Sequence, residues 1–190
     1  DPSYKGISSL ILLERVMDVI LEEMPIDRGF ILMYDKKGAE LLPQVVRYRR
    51  GVRAKKQKIT TSRRIIQHVL DYRAAVLCTN AMDDQRFSKD AGQDSIHDFG
   101  LHSVICAPIM VQDLLLGIIH IDSAAATHTY TQEQLRLMSA IGQMTGITPQ
   151  VGSLATTLYR DDYRSGMGMP KPHGNTHFDF SVDGRTVRRR

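Results

Sequence analysis

The residues that could do chemistry are few. Cys78 and Cys106 are the two cysteines, and both lie in apolar surroundings, Ala75-Val76-Leu77-Cys78 and Ser103-Val104-Ile105-Cys106-Ala107-Pro108. That setting reads as two small buried hydrophobes in a reducing compartment, with a disulfide or redox site as the alternative. No histidine stands at zinc-ligand spacing from either thiol, so no metal site is expected. Asp83 and Asp84 are adjacent carboxylates in a polar stretch. Acid–base work needs a positioned partner, and the plainer role of such a pair is to form turns and cap helices. His97 and His102 could ligate a haem iron, but a histidine satisfied by its surroundings is the commoner case. The sequence holds no G-x-x-x-x-G-K-[ST], no H-E-x-x-H and no G-x-S-x-G. No catalytic residue is therefore assigned, and the expectation is a protein that is not an enzyme.

Composition sets the frame for these residues. The chain has 190 residues, 42% of them hydrophobic, which suits an ordinary globular core. No apolar run approaches the roughly 18 residues of a membrane span. The start, Asp1-Pro2-Ser3-Tyr4, lacks the basic and apolar regions of a signal peptide, and without an initiator Met it reads as a piece of a longer protein. Cytoplasmic localisation without membrane partners is expected. The net charge of +4 comes largely from Arg47, Arg49, Arg50, Arg53, Lys55, Lys56 and Lys58 and from Arg185, Arg188, Arg189 and Arg190. Apart from Tyr48 these runs lack interleaved aromatics, so they read as a solvated loop and a tail, and nucleic acid is not expected as a partner.

The elements that must position any site follow from periodicity. Leu10, Leu13, Met17, Ile20, Leu21 and Met24 recur at helical spacing from about Ser8 to Met24, and Pro25 stops that helix. The stripe could face the domain's own sheet or a partner helix; Ile11 and Val16 widen it enough for both. Gly29 to Tyr34 and Ala39 to Tyr48 form a hairpin, with Pro43 suggesting an edge or a bulge. A helix from about Ser62 to Tyr72 buries Ile65, Ile66, Val69 and Leu70. Ala74 to Cys78 is a short strand. The polar stretch Thr79 to Gly100 is longer than an ordinary connection, and its anchors Phe87 and Phe99 suggest a short helix lying over a sheet face. Leu101 to Met110 and Leu114 to Asp122 are strands joined by a tight turn at Gln112-Asp113, with Gly117 permitting close approach of a backbone or ligand. Thr131-Gln132-Glu133-Gln134 is a capping box opening a helix with Leu135, Met138, Ile141 and Met144 on one face, ended or kinked by Pro149. Beyond it come a continuing helix to about Tyr163, a Gly/Pro-rich loop and a small hairpin through Phe178, Phe180 and Val182. Antiparallel hairpins covered by helices make an α+β fold. The division is a domain over 1–148 and an extension over 149–190.

In these segments the chain resembles a GAF domain, from about Ile7 to Ile147. LLERVMDVILEEMPIDRGFILMYD is similar to the family's opening helix and first strand. ITTSRRIIQHVLDYRAAVLCTNAMDDQRF is similar to its helix, strand and following loop, GLHSVICAPIMVQDLLLGIIHIDS to its hairpin, and YTQEQLRLMSAIG to its last helix. The style is nearest the bacterial signalling GAF domains found with forkhead-associated, cyclase or transcriptional-activator partners. The resemblance implies a six-stranded antiparallel sheet with helices on both faces, dimerisation through the terminal helices, and a ligand pocket between the sheet and the irregular helical segment.

The family's known chemistries fit poorly. Cyclic-nucleotide binders carry Asn-Lys where this chain has Asp122-Ser123, and Asp-Glu where it has Gln134-Leu135. Bilin binders need a Cys in the segment that here spans Asp90 to Gly100, which has none. Reductases of free methionine sulfoxide use cysteines in pocket loops, whereas Cys78 and Cys106 fall in strands. The expectation is a regulatory domain sensing an unknown small molecule, working as a homodimer and signalling to an effector domain outside this chain. The first alternative is a ligand-free dimerisation or scaffold module; the cysteine-dependent sulfoxide reductase is the second. The expected pocket is floored by Ser103 to Ala107, including Ile105, and roofed by Met82, Phe87 and Ile96. Ser95, Ser103 and His120 are its polar contacts. No cofactor is assigned.

Overall fold

A computed structural model describes residues 2–35, 40–49, 63–80, 103–123, 128–148 and 151. The elements run α1 (Pro2–Glu23), β1 (Arg28–Tyr34), β2 (Leu41–Tyr48), α2 (Arg63–Tyr72), β3 (Val76–Cys78), β4 (Ser103–Val111), β5 (Leu114–Ser123) and α3 (Gln132–Ile147). The strands form one sheet in the order β2-β1-β5-β4-β3, with every neighbouring pair antiparallel. The fold is α+β as expected, and the described residues hold five strands of the six that the resemblance implies.

β5 lies at the centre because its sequence permits nothing else. Leu114 to Ser123 is buried at every position, so it must be paired on both edges and covered on both faces. β1 supplies one edge and β4 the other. Pro43 sits, as its chemistry requires, on β2, the edge strand among the described residues, whose register against β1 shifts opposite Ile31 and Leu32.

Each face carries its own apolar core. On one, α1 places Leu13, Met17 and Ile20 against Ile31, Ile105, Ile119 and Ile121. On the other, α2 places Ile65, Ile66, Val69 and Leu70 against Phe30, Leu32, Val104 and Ile118. Each such side chain contributes roughly 1.5–3 kcal/mol on burial. From Leu13 onward the α1 stripe therefore faces this domain's own sheet, while Leu10, expected in the same stripe, is exposed together with Ile11 and Val19. Arg47 ties the same helix to β2 through Glu14 at 3.0 Å and Asp18 at 3.4 Å, and Arg49 lies 3.8 Å from Asp27, so part of the basic run is paired.

Two left-handed residues close the α2 side. Arg73 (φ 51°) follows the last turn of α2 and donates its backbone N–H to Val69 O at 2.8 Å. Its side chain reaches Asp113 O at 2.7 Å in the β4–β5 turn, where Gln112 has φ 52°.

α3 opens with the expected capping box: Thr131 accepts from Gln134 N at 3.3 Å, and Gln134 accepts from Thr131 N at 2.9 Å. Of its expected face, Met138 is buried and Leu135 and Ile141 pack against the core, but Met144 does not. Met138, Gly142, Thr145 and Gly146 face the sheet, whereas Met144 is exposed. The reason is close packing. A Cβ on Gly142 would collide with Pro108 O, and one on Gly146 with Met110 O. The helix backbone rests almost directly on β4, so the smallest residues turn inward.

Neither cysteine is in a disulfide, and both are buried. Cys78 pairs with Val104, and Cys106 with Val76. The thiols are thus diagonal neighbours, about 7–8 Å apart at Cα, too far for a disulfide without backbone movement. Among the described residues no helix is long and apolar enough to cross a membrane. Of the extension after 148 only Val151 is described, buried in the α1/α3 core; the expected tail helix and hairpin lie outside the described residues.

Candidate functional site

The α2-facing side of the sheet carries a small polar group amid apolar neighbours. Period-2 alternation along β5 sends Ile119 and Ile121 to the α1/α3 core, and Ile118, His120 and Asp122 to the opposite face. Register then sets two rows across the strands. Phe30, His120 and Cys106 lie side by side, with Val76 beyond; in the next row Arg28, Asp122 and Val104 do the same, with Cys78 beyond.

Within these rows, the Phe30 and His120 rings stack with centroids 4.4 Å apart and planes 15° from parallel. Arg28 donates from Nε at 2.9 Å and from Nη2 at 2.5 Å to the same oxygen of Asp122, Oδ2. The guanidinium carbon lies 5.7 Å from the centre of the Phe30 ring. Asp122 is 4% exposed and His120 fully buried. His120 Nε2 stands 3.3 Å from Asp122 Oδ2, but its direction is wrong for a hydrogen bond. Neither ring nitrogen of His120 finds a hydrogen-bond partner among the described residues. The next residues fasten the end of the sheet: Asp27 donates its N–H to Asp122 O at 3.0 Å and accepts from Ser123 Oγ at 3.2 Å.

Electrostatics follow from burial and these contacts. Burial by itself would raise the Asp122 carboxyl, but His120 and the Arg28 guanidinium outweigh it and hold the group below the usual carboxylate range. Burial lowers the His120 pKa, the neighbouring carboxylate only partly opposing it, so the imidazole is neutral. Burial pushes the Cys106 thiol up, making it a poor nucleophile. An ion-paired carboxylate and a desolvated thiol are poorly suited to acid–base or covalent chemistry. Among the described residues no group of three or more His, Cys, Asp or Glu side chains could hold a metal.

The structure separates the residues expected to share one pocket. Ser103 and Ile105 point to the α1/α3 side. Ser103 Oγ accepts from Tyr130 N at 3.0 Å and donates to Cys78 O at 3.3 Å, and Ile105 belongs to the α1 core. His120 points the other way, so these three do not line a common floor. The cause is the pleat: Val104 and Cys106, not Ser103 and Ile105, share the His120 face. Met82, Phe87, Ser95 and Ile96 lie outside the described residues. Arg28, Phe30 and Asp122 escaped the sequence reading. The usable signal was Asp122, a charge in an otherwise apolar strand, together with Arg28 one position before the expected start of β1.

His120 supplies a test of this electrostatic description. Its folded pKa lies below the unfolded value of about 6.5, so the unfolded chain takes up the proton first on acidification, and stability falls as pH drops from that value towards the folded one. His120→Phe keeps the stack on Phe30 and removes two unpartnered nitrogens. The variant is expected to be more stable by about 1 kcal/mol at pH 7, with a larger margin at pH 5.5. Thermal melts at both pH values measure this; a variant that melts lower at both would mean that His120 is satisfied in the folded chain.

Comparison with known proteins agrees with this architecture. The family model described as GAF domain matches residues 10–148. No curated protein matches the sequence. Among solved structures, the GAF3 domain of Slr1393 from Synechocystis sp. PCC6803, in its photoproduct state, superposes with a TM-score of 0.61 at 11% identity, covering 78% of this chain and 97% of that one. A type II free methionine-R-sulfoxide reductase from Thermoplasma acidophilum does so with a TM-score of 0.57 at 14% identity, covering 79% and 96%. The GAF domain region of a putative membrane protein from Geobacter sulfurreducens PCA gives 0.57 at 15% identity, covering 83% and 97%. Identities this low speak for the fold alone, but the family match spans both hairpins, the central sheet and its terminal helix. The chain belongs to the GAF domain family.

Proposed function

We propose that this chain is a regulatory, non-enzymatic sensor domain of a cytoplasmic signalling protein. It binds a small molecule on the α2 face of its sheet and passes the signal through α1 and α3 to an effector domain. The observation that carries this reading is the buried group on that face, where a neutral imidazole without a hydrogen-bond partner among the described residues stands beside a closed ion pair and apolar side chains. A few polar groups on an apolar floor suit small-molecule recognition. The output side is supported by the terminal helices. Ile11 (54% exposed) and Val19 on α1, and Met144 (65%) and Ile147 (66%) on α3, hold apolar surface towards solvent. Such surface is what a homodimer would cover, and two arrangements of paired helices provide the two states that a ligand can bias.

A ligand-free scaffold is favoured over the sensor by one observation, the complete burial of His120. The sulfoxide reductase reading is disfavoured by the buried thiols, since that chemistry needs an accessible thiolate. Native mass spectrometry of the purified chain distinguishes the readings. A dimer retaining a small molecule is the expected result, and Ile11→Glu with Ile147→Glu should weaken the dimer at least about tenfold, as expected for charges placed in an apolar interface. A dimer that never carries added mass, even after exposure to a cell extract, would favour the scaffold. A monomer would end the proposal for the terminal helices.

A further inference from the structure

We propose that His120 is the hydrogen-bond-accepting anchor of the α2-face site, and that the site selects an uncharged, largely apolar molecule presenting one N–H or O–H donor. This rests on the reading of the chain as a small-molecule sensor and adds the ligand's chemical class.

A fully buried imidazole is costly when its nitrogens lack partners, and native proteins rarely keep such a group without a use. His120 has that character among the described residues. Its ring is positioned by packing: Phe30 stacks on it, and Phe30 and Cys106 are its cross-strand neighbours on β1 and β4. The ring is therefore oriented before anything binds.

The tautomer follows from Asp122. Its Oδ2 stands 3.3 Å from His120 Nε2, so the negative field there favours the hydrogen on Nε2, even though the angle makes no hydrogen bond. Nδ1 then carries the lone pair and can only accept. A ligand that completes it must donate.

Charge sets the second requirement. Arg28 and Asp122 neutralise each other through two contacts to one oxygen. The remaining neighbours in the two rows, Phe30, Val76, Cys78, Val104 and Cys106, are apolar and buried. A phosphate or carboxylate placed here would lose its hydration with no uncommitted positive charge among these residues to receive it. An uncharged donor loses little, and its apolar body matches the floor.

Three probes sharing one ring test this on the full chain: phenol, a neutral donor; anisole, neutral without a donor; and benzoate, an anion. Nitrogen-15-labelled histidine reports the tautomer and the Nδ1 environment directly. The expected result is an Nε2–H tautomer in the free chain, a shift of the His120 Nδ1 resonance on adding phenol, and phenol binding about tenfold tighter than anisole or benzoate, the worth of one buried hydrogen bond. In His120→Phe, phenol should bind no better than anisole.

An Nδ1–H tautomer, an Nδ1 resonance unmoved by phenol, or a preference for benzoate would each overturn the proposal. So would a His120→Phe chain that still prefers phenol. The first three readouts use the unaltered protein, so they stand even if the variant folds poorly. If they fail while native mass spectrometry still finds a retained molecule, the sensor reading survives and only the ligand class is wrong. If no molecule is retained either, both readings fall.

Discussion

Gly146→Ala is expected to lower the melting temperature by about 4–8 °C, against a change near zero for the exposed control Gln143→Ala. Alanine normally strengthens a helix by about 1 kcal/mol over glycine, so the direction is opposite to what helix propensity gives. The reason is the seat of α3 on β4. The added methyl would collide with Met110 O and stand 2.9 Å from Met110 N. These are backbone atoms of a central strand and cannot rotate aside, so the helix must lift or tilt, loosening Met138 and Thr145 with it. Overpacking of this kind costs roughly 1–3 kcal/mol and occasionally more. A net loss near 2 kcal/mol corresponds to the stated shift, at about 2–4 °C per kcal/mol for a chain of this size. Calorimetry of the two variants decides it; an alanine that is neutral or stabilising would show that the helix has room to spare.

Asp122→Asn should be the more damaging substitution at neutral pH. Arg28, whose side chain is 13% exposed, would lose its ion pair with Asp122, and His120 its neighbouring carboxylate. Removing one member of a buried pair costs about 3–5 kcal/mol; the partial exposure of Arg28 places the expectation near the lower end, about 3 kcal/mol. The pH dependence carries its own sign. The carboxyl is held below its unfolded pKa, so its stabilisation is complete above the ordinary carboxylate range and disappears as pH falls through the folded pKa. Denaturant melts at pH 7 should separate the variant clearly from the parent. Below the ordinary carboxylate range the gap should narrow progressively, because the unfolded parent then takes up a proton that the folded one still refuses. A gap that persists undiminished into acid would mean that shape, not charge, is what Asp122 provides. A cycle with Arg28→Met would isolate the coupling between the two side chains.

The elements were largely legible because each is written in one local pattern. The continuous apolar run from Leu114 could only be a strand covered on both faces, and the box at Thr131 could only open a helix. Pro43 announced an edge. Where the reading missed, the information was non-local. Met144 has the spacing of a core residue in α3, yet the sheet beneath favours Gly142 and Gly146, and no periodicity within the helix reports how closely another backbone will approach. Ser103 and Ile105 looked like companions of His120 because all three lie in the paired strands of one hairpin. Their separation comes from the pairing register, since shifting that register by one residue would exchange the two faces.

By itself, then, the order of residues determined the α+β class, the two hairpins, the helices and the family, since period, turn chemistry and capping act over a few neighbouring positions. Only the tertiary structure decided that β5 slides between β1 and β4, bringing Arg28 beside Asp122 and Phe30 beside His120 across ninety or more positions of sequence. Strand order is chosen by the burial of two faces at once, and that is a property of the assembled sheet.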